Sequence, residues 1–296
     1  MSEPSPERWA IDLSLLLNAV KGADRFPVDI AELALEYSKT RFPGDPILRV
    51  AGDDLPGFDG ALMKAPGGKP GWGIFYNNAF RSKGRINFTL AHELGHYLLH
   101  RTAYPDGFYC SSNDVVRWDS EYGQIEHQAN VFAANILMPL DDYRRQIPQH
   151  LRVDLEMISA CAERYRVSLI AASLRWLTYT TRRAILVCSR DGFILWAKPS
   201  ASALKSGIYF RTSMGPIEIP GQSQAAKQDM LVDARSGIPH PAGVWFREPV
   251  QEMTVFSEQY DFVVSLLTLE DRDRYEPSEE PIEDSYDRFM NRQQRF

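Results

Sequence analysis

The chain has 296 residues and a mass of 33.7 kDa, more than one compact core usually holds, so two domains, or one with a sizeable appendage, are expected. With 44% apolar, 24% charged and 11% aromatic residues it can bury a core, which excludes wholesale disorder and fibre-like repeats. A net charge of -6 and a pI near 5.6 speak against binding DNA backbone over the whole surface, though a local basic patch is compatible with them.

Mean hydropathy is -0.33, and no apolar run approaches the roughly 20 residues needed to cross a bilayer. The opening MSEPSPERWAIDLSLLLNAV lacks the basic region and small-residue cleavage site of a signal peptide. Cys110, Cys161 and Cys188 are widely separated, which excludes a disulfide scaffold and a four-thiolate zinc site. A cytoplasmic, membrane-free protein is expected.

In chain order, helical spacing predicts helices over 9–20 and 28–40. From 43 to 73 Pro, Gly and Asp punctuate short apolar pieces, Ile47 to Val50 and Ala61 to Met63, which predict strands joined by turns; 72–76 predicts another. Residues 85–101, with Asn87 or Thr89 available as a cap, place Phe88, Leu90, Ala91, Leu94, Leu98 and Leu99 on a buried helix. A turn-rich connection, 102–120, leads to a second core helix over 121–137, marked by Ile125, Ala129, Phe132, Ala133 and Ile136 and stopped by Pro139.

Further helices are expected over 140–146, 155–165 and 168–178, the last capped by Ser168. The texture then changes to strand-like runs at 184–188, 193–197, 244–246 and 262–269, so a domain boundary is set near 183. The tail 270–296 carries nine acidic and five basic side chains and few aliphatics, and is expected to be mostly disordered.

The chemistry concentrates in His92-Glu93-Leu94-Gly95-His96, inside the first core helix. A spacing of four puts both imidazoles on one face a turn apart, so both can ligate one zinc. Glu93 lies about 100° round the helix from His92 and can address a water at the open position rather than the metal. A third ligand is needed to leave that position open. The second core helix offers Glu126, with Glu121 and His127 as competitors; the buried side set by Ala129, Phe132, Ala133 and Ile136 favours Glu126. Asn130, four positions on, shares its face and can orient a ligand.

The run Asn87 to His100, followed by Glu126 to Pro139, strongly resembles the ImmA/IrrE family of zinc metallopeptidases. The likeness is clearest over about 70–140. It implies that His92, His96 and Glu126 hold zinc, with Glu93 as general base; by donor chemistry alone manganese can occupy the same nitrogen and oxygen site. It also implies that the substrate is a helix-turn-helix repressor, whose cleavage switches on stress-response or mobile-element genes. The length and the change of texture near 183 resemble family members in which the peptidase-like domain precedes a helix-turn-helix-like segment and a GAF-like sensor domain.

The expected fold is therefore α+β. A zincin-like metallopeptidase domain over 1–140 is followed by a helical, helix-turn-helix-like segment over 141–183, a mixed α/β GAF-like domain over 184–269 and the acidic tail.

Residues 144–183 hold eight arginines against three acidic residues, so DNA contact is conceivable, although a helical support beside the cleft is favoured. The rival function is a DNA-binding or signal-sensing regulator with a structural or vestigial zinc site. His100, about 12 Å along the axis from His92, cannot join both other histidines on one metal and is expected to pack or to orient a neighbour. Tyr97 is a candidate for steadying a developing oxyanion. His150 and His240 have no partner pattern, and the cysteines are expected to pack as small apolar groups.

Overall fold

Local signals at the chain start set the first helices. Ser5 accepts from the Arg8 amide and Pro6 occupies the first turn of α1 (Pro6–Lys21), while Asp29 accepts from Glu32 to open α2 (Ile30–Arg41). A computed structural model describes residues 4–105, 107–110, 121–212, 215–228, 235–257 and 261–271. Among them are nine α-helices and two sheets, a mixed α+β architecture.

The first sheet contains β1 (Ile47–Asp53), β2 (Gly60–Lys64), β3 (Trp72–Asn77) and β4 (Gly107–Cys110), in the order β1-β3-β2-β4. β1 runs parallel to β3 and the other pairs are antiparallel, with Leu62 opposite both Ile74 and Phe108. β4 corrects the expectation of an unbroken turn-rich connection over 102–120. Gly107 conceals it: at φ +106°, a Cβ there would stand 2.3 Å from the Leu62 carbonyl oxygen, so only glycine lets the edge strand start this close to β2.

Across this sheet lies α3 (Lys83–Leu99), capped by Ser82, whose hydroxyl accepts from the Arg85 amide. That corrects the expected cap at Asn87 or Thr89, which lie inside the helix. α3 packs on α4 (Glu121–Leu137), and Leu94, Ala91, Phe132, Ala133 and Ile136 share one core with Leu62 and Ile74 of the sheet. Each fully buried Leu, Ile or Phe there contributes roughly 1.5–3 kcal/mol.

Three more helices follow: α5 (Leu140–Gln146), α6 (Leu155–Tyr165), capped by Asp154, and α7 (Leu169–Leu177), capped by Ser168 as expected. Arg166, at φ 53°, makes the left-handed turn between α6 and α7. Asp142 of α5 ties this group together. Its carboxylate accepts from Tyr165 Oη at 2.8 Å, from Arg164 Nε at 2.8 Å and from Arg145 Nη2 at 3.2 Å. Arg175 of α7 reaches the end of α4, donating from Nε to the Met138 carbonyl at 2.7 Å and from Nη2 to Asn135 Oδ1 at 2.9 Å.

The second sheet is antiparallel throughout, in the order β6-β5-β9-β8-β7. Its strands are β5 (Ala184–Arg190), β6 (Phe193–Pro199), β7 (Ile238–His240), β8 (Val250–Ser257) and β9 (Phe262–Thr268); the short helices α8 (Ala201–Lys205) and α9 (Gln224–Lys227) accompany them. Both faces of its central strands are buried, while Phe193 and Leu195 of the edge strand β6 are exposed. Leu186, Met253, Val264 and Leu266 join the helical core, while Ile185, Val187, Val263 and Leu267 form a second cluster with Ile208, Ala225 and Trp245.

The expected strand at 244–246 is instead a turn ahead of β8. Its apolar residues are there because the Trp245 indole donates to the buried Glu252 at 2.8 Å. His240 also meets Glu252, Nε2 to Oε2 at 2.8 Å. Cys161 and Cys188 are buried free thiols whose pKa is pushed up by burial. The Cys110 side chain, and the acidic tail beyond Asp271, lie outside the described residues. No described helix is long and apolar enough to cross a membrane.

Candidate metal centre

His92 and His96, one turn apart on α3, meet Glu126 of α4 in the buried space between the two helices. Their separations are 3.1 Å from His92 Nε2 to Glu126 Oε2, 3.3 Å from His96 Nε2 to Glu126 Oε1, and 2.9 Å between the two Nε2 atoms. Donors at roughly 2.0–2.1 Å from a tetrahedral zinc stand roughly 3.3–3.4 Å apart, so the set fits one small cation with little adjustment. No other group of three or more such donors occurs among the described residues.

Glycine sets the closeness of the helices. A Cβ at Gly95 would lie 3.1 Å from Phe132 Cδ1 and 3.2 Å from Ala129 Cα, so Gly95 and Ala129 let α4 come near enough for a glutamate to reach the histidines.

The rings are oriented from behind. His92 Nδ1 is 3.0 Å from Asn130 Oδ1, an acceptor for the Nδ1 proton, so a neutral His92 can present Nε2 to a cation. His96 is set by a longer relay. His100 Nε2 donates to Gln128 Oε1 at 2.8 Å, so its Nδ1 is free to accept from His96 Nδ1 at 3.0 Å, and the His96 lone pair again faces inward. Phe108 of β4 stacks on the His96 ring, centroids 4.4 Å apart. The expected orienting role of His100 is thus met, while Gln128 and Phe108 are contributors that sequence reasoning missed. Their positions share no spacing with the ligands; the pairing forms only when α4 and β4 pack on α3.

Electrostatics suit a cation. Burial lowers the His96 pKa to about 3, so that imidazole is neutral. For His92 burial also acts downward, but the hydrogen bond and charge of Glu126, with the charge of Glu93, outweigh it and raise the value. Burial pushes the Glu126 carboxyl up, yet the two histidines more than reverse that and hold it far below the usual carboxylate range. An ionised carboxylate between two imidazoles in a buried site is a ready divalent-cation cradle.

Glu93 is fully buried on the side of α3 that faces β2, rotated away from the three donors as expected. Tyr97 lies one turn further along that same side. Its hydroxyl donates to the Asp45 carbonyl at 2.8 Å and its ring packs on Phe42, so it is not at the centre and the oxyanion expectation is corrected. His127 is exposed, as is His150, and the Glu121 side chain lies outside the described residues.

A two-histidine, one-glutamate centre built on an HExxH helix over a mixed sheet defines the zincin-like class of metallopeptidases. Residues 45–177 match the family model described as Peptidase_M78, IrrE N-terminal-like domain, a match consistent with an ImmA/IrrE family metallopeptidase. The matched stretch runs from before β1 to the end of α7, taking in the whole centre and the helices beyond it. No individually curated protein matches the chain.

Proposed function

We propose that this protein is a zinc-dependent endopeptidase of the cytoplasm that cleaves a helix-turn-helix transcriptional repressor and so releases stress-response or mobile-element genes. The observation that carries the reading is the buried His92, His96 and Glu126 set with a separate buried carboxylate, Glu93, one residue from a ligand. Two imidazole nitrogens and one carboxylate are donors that suit zinc, and manganese is compatible with the same set.

His92, His96 and Glu126 would hold the zinc ion, which would supply polarisation of the scissile carbonyl and acidification of water. Glu93 takes the proton from the attacking water and delivers it to the leaving amine. Asn130 and His100 hold the imidazoles in the tautomers that expose Nε2. The repressor as substrate rests on the family resemblance.

The regulator reading finds less support. Of the eight arginines at 144–183, Arg145 and Arg164 bind Asp142, Arg175 is buried against α4, Arg182 pairs with Asp271, and Arg183 pairs with Glu248. α7, which would be the reading helix of a helix-turn-helix, presents Leu169, Ile170, Ala171 and Leu174 and has no exposed basic or amide side chain with which to read base edges. DNA contact is therefore not favoured. The 141–183 helices are read as a support for the cleft, and 184–269 as a GAF-like sensor or partner-binding unit.

The test is co-expression of the chain with the helix-turn-helix repressor encoded nearest its gene, followed by intact-mass analysis. Wild type is expected to cut the repressor, and Glu93→Gln to keep its zinc and leave the repressor whole. Cleavage by zinc-loaded Glu93→Gln would remove Glu93 from the chemistry. Steeply salt-dependent DNA binding without any cut would favour the regulator.

A further inference from the structure

Arg85, Thr89, Glu93 and Tyr97 recur every four residues and form one side of α3, turned toward the first sheet. Opposite Thr89 and Glu93 stands Gly60, the first residue of β2, which is buried and paired with Tyr76 of β3 and Cys110 of β4. A Cβ at Gly60 would lie 2.7 Å from Glu93 Oε1, 3.2 Å from Glu93 Cδ and 2.5 Å from Thr89 Cγ2. Those separations are below van der Waals contact, so the space beside the strand backbone is filled by the glutamate and the threonine methyl.

The strand cannot drift away from that contact. Arg85 Nη2 donates to both oxygens of Asp59, at 2.8 and 2.9 Å, and the same guanidinium lies over the Phe80 ring at 3.8 Å. From the other side Asn77 Nδ2 donates to the carbonyls of Leu55 and Phe58, at 2.8 and 2.9 Å. The residues just ahead of Gly60 are therefore fastened to α3 at one end and to β3 at the other.

We propose that Gly60, held by the Asp59–Arg85 ion pair, is a positioning residue for the Glu93 carboxylate: the bare backbone of β2 is the wall against which the general base rests. The role as base rests on the peptidase reading; the contact itself does not. Any side chain at position 60 moves the carboxylate off its line to the substrate water, and displacements near 1 Å cost roughly a hundredfold in rate.

Two readouts test this. In zinc-loaded protein, Gly60→Ala is expected to keep full metal loading and lower kcat about 100-fold while KM changes less than about threefold. In metal-free protein, Gly60→Ala is expected to lower Tm by about 5 °C, and by less than half of that when introduced into Thr89→Ser/Glu93→Ala, where both obstructing groups have been removed.

Equal Tm losses in the two backgrounds, or an unchanged kcat, overturn the proposal. If Gly60→Ala does not fold, Asp59→Asn replaces it: a kcat lowered about 10-fold with zinc retained supports the clamp, and wild-type kcat overturns it. A wild type that holds zinc and cuts nothing sinks the peptidase reading, and the thermal comparison still decides whether Gly60 bounds Glu93.

Discussion

His100 shows how much of the centre depends on a residue that binds no metal. Its Nδ1 takes the His96 proton only because Gln128 takes its own, so a single lost acceptor leaves His96 with the wrong nitrogen protonated toward the site. His100→Phe keeps a ring against Phe108 and removes the acceptor; zinc affinity, measured by competition with a chromophoric chelator, is expected to fall 10- to 100-fold. Unchanged affinity would mean the relay does not set the tautomer.

The three candidate donors were legible because a spacing of four and the helical phase of 129–136 leave Glu126 as the best-placed carboxylate. Asn130 followed from the same arithmetic. Tyr97 misled because it sits beside a ligand in sequence, yet it lies a turn below Glu93, where the Asp45 carbonyl accepts its proton. Gly60 gave no signal at all: a glycine at a strand start reads as a turn until the helix above it is in place.

Among elements, the α3–α4 contact decides whether the centre exists. Gly95→Ala inserts a methyl 3.1 Å from Phe132 and 3.2 Å from Ala129, and the helices must part by a few tenths of an ångström. Zinc affinity is expected to drop at least about 10-fold together with thermal stability, as overpacking costs roughly 1–3 kcal/mol. Retention of both would show that α4 is not held at this distance by Gly95.

The α5–α6 joint makes a separate prediction. Burial acts to raise the Asp142 pKa, but Arg164, Tyr165 and Arg145 outweigh it and lower the folded value. A depressed carboxylate stabilises fully above its unfolded pKa of about 4 and loses that contribution as pH falls through the folded pKa. The Tm gap between wild type and Asp142→Asn should be wide at pH 7 and close below about pH 4. A gap independent of pH would deny the ion pairs their part.

Periodicity made α1 to α7 readable, and Ser168 was the cap read correctly; α8 and α9, of five and four residues, are too short to show a period. β4 was not, because four residues starting at a glycine carry no period. β8 was missed for another reason: burial on both faces removes the alternation that marks a strand.

At the scale of the molecule, the second sheet shares a core with the helices that carry the centre, through Leu186, Val264 and Leu266 against Trp176 and its neighbours. A chain ending at residue 183 uncovers that apolar face. It is expected to aggregate, or to unfold at least about 5 °C lower than the full chain, by light scattering and calorimetry. A monodisperse fragment with full-chain Tm would show that the sheet is an independent passenger.

Exposed Gln128 gives the buried centre a lead to its surroundings. Asn130, behind His92, is half-buried, whereas the chain from His96 through His100 ends on exposed Gln128, where solvent or a neighbouring molecule can compete for the same acceptor. Whatever alters that one amide alters the electron supply of a nitrogen two residues inward. The basicity of the site can thus be retuned from outside without opening the cleft or changing a ligand.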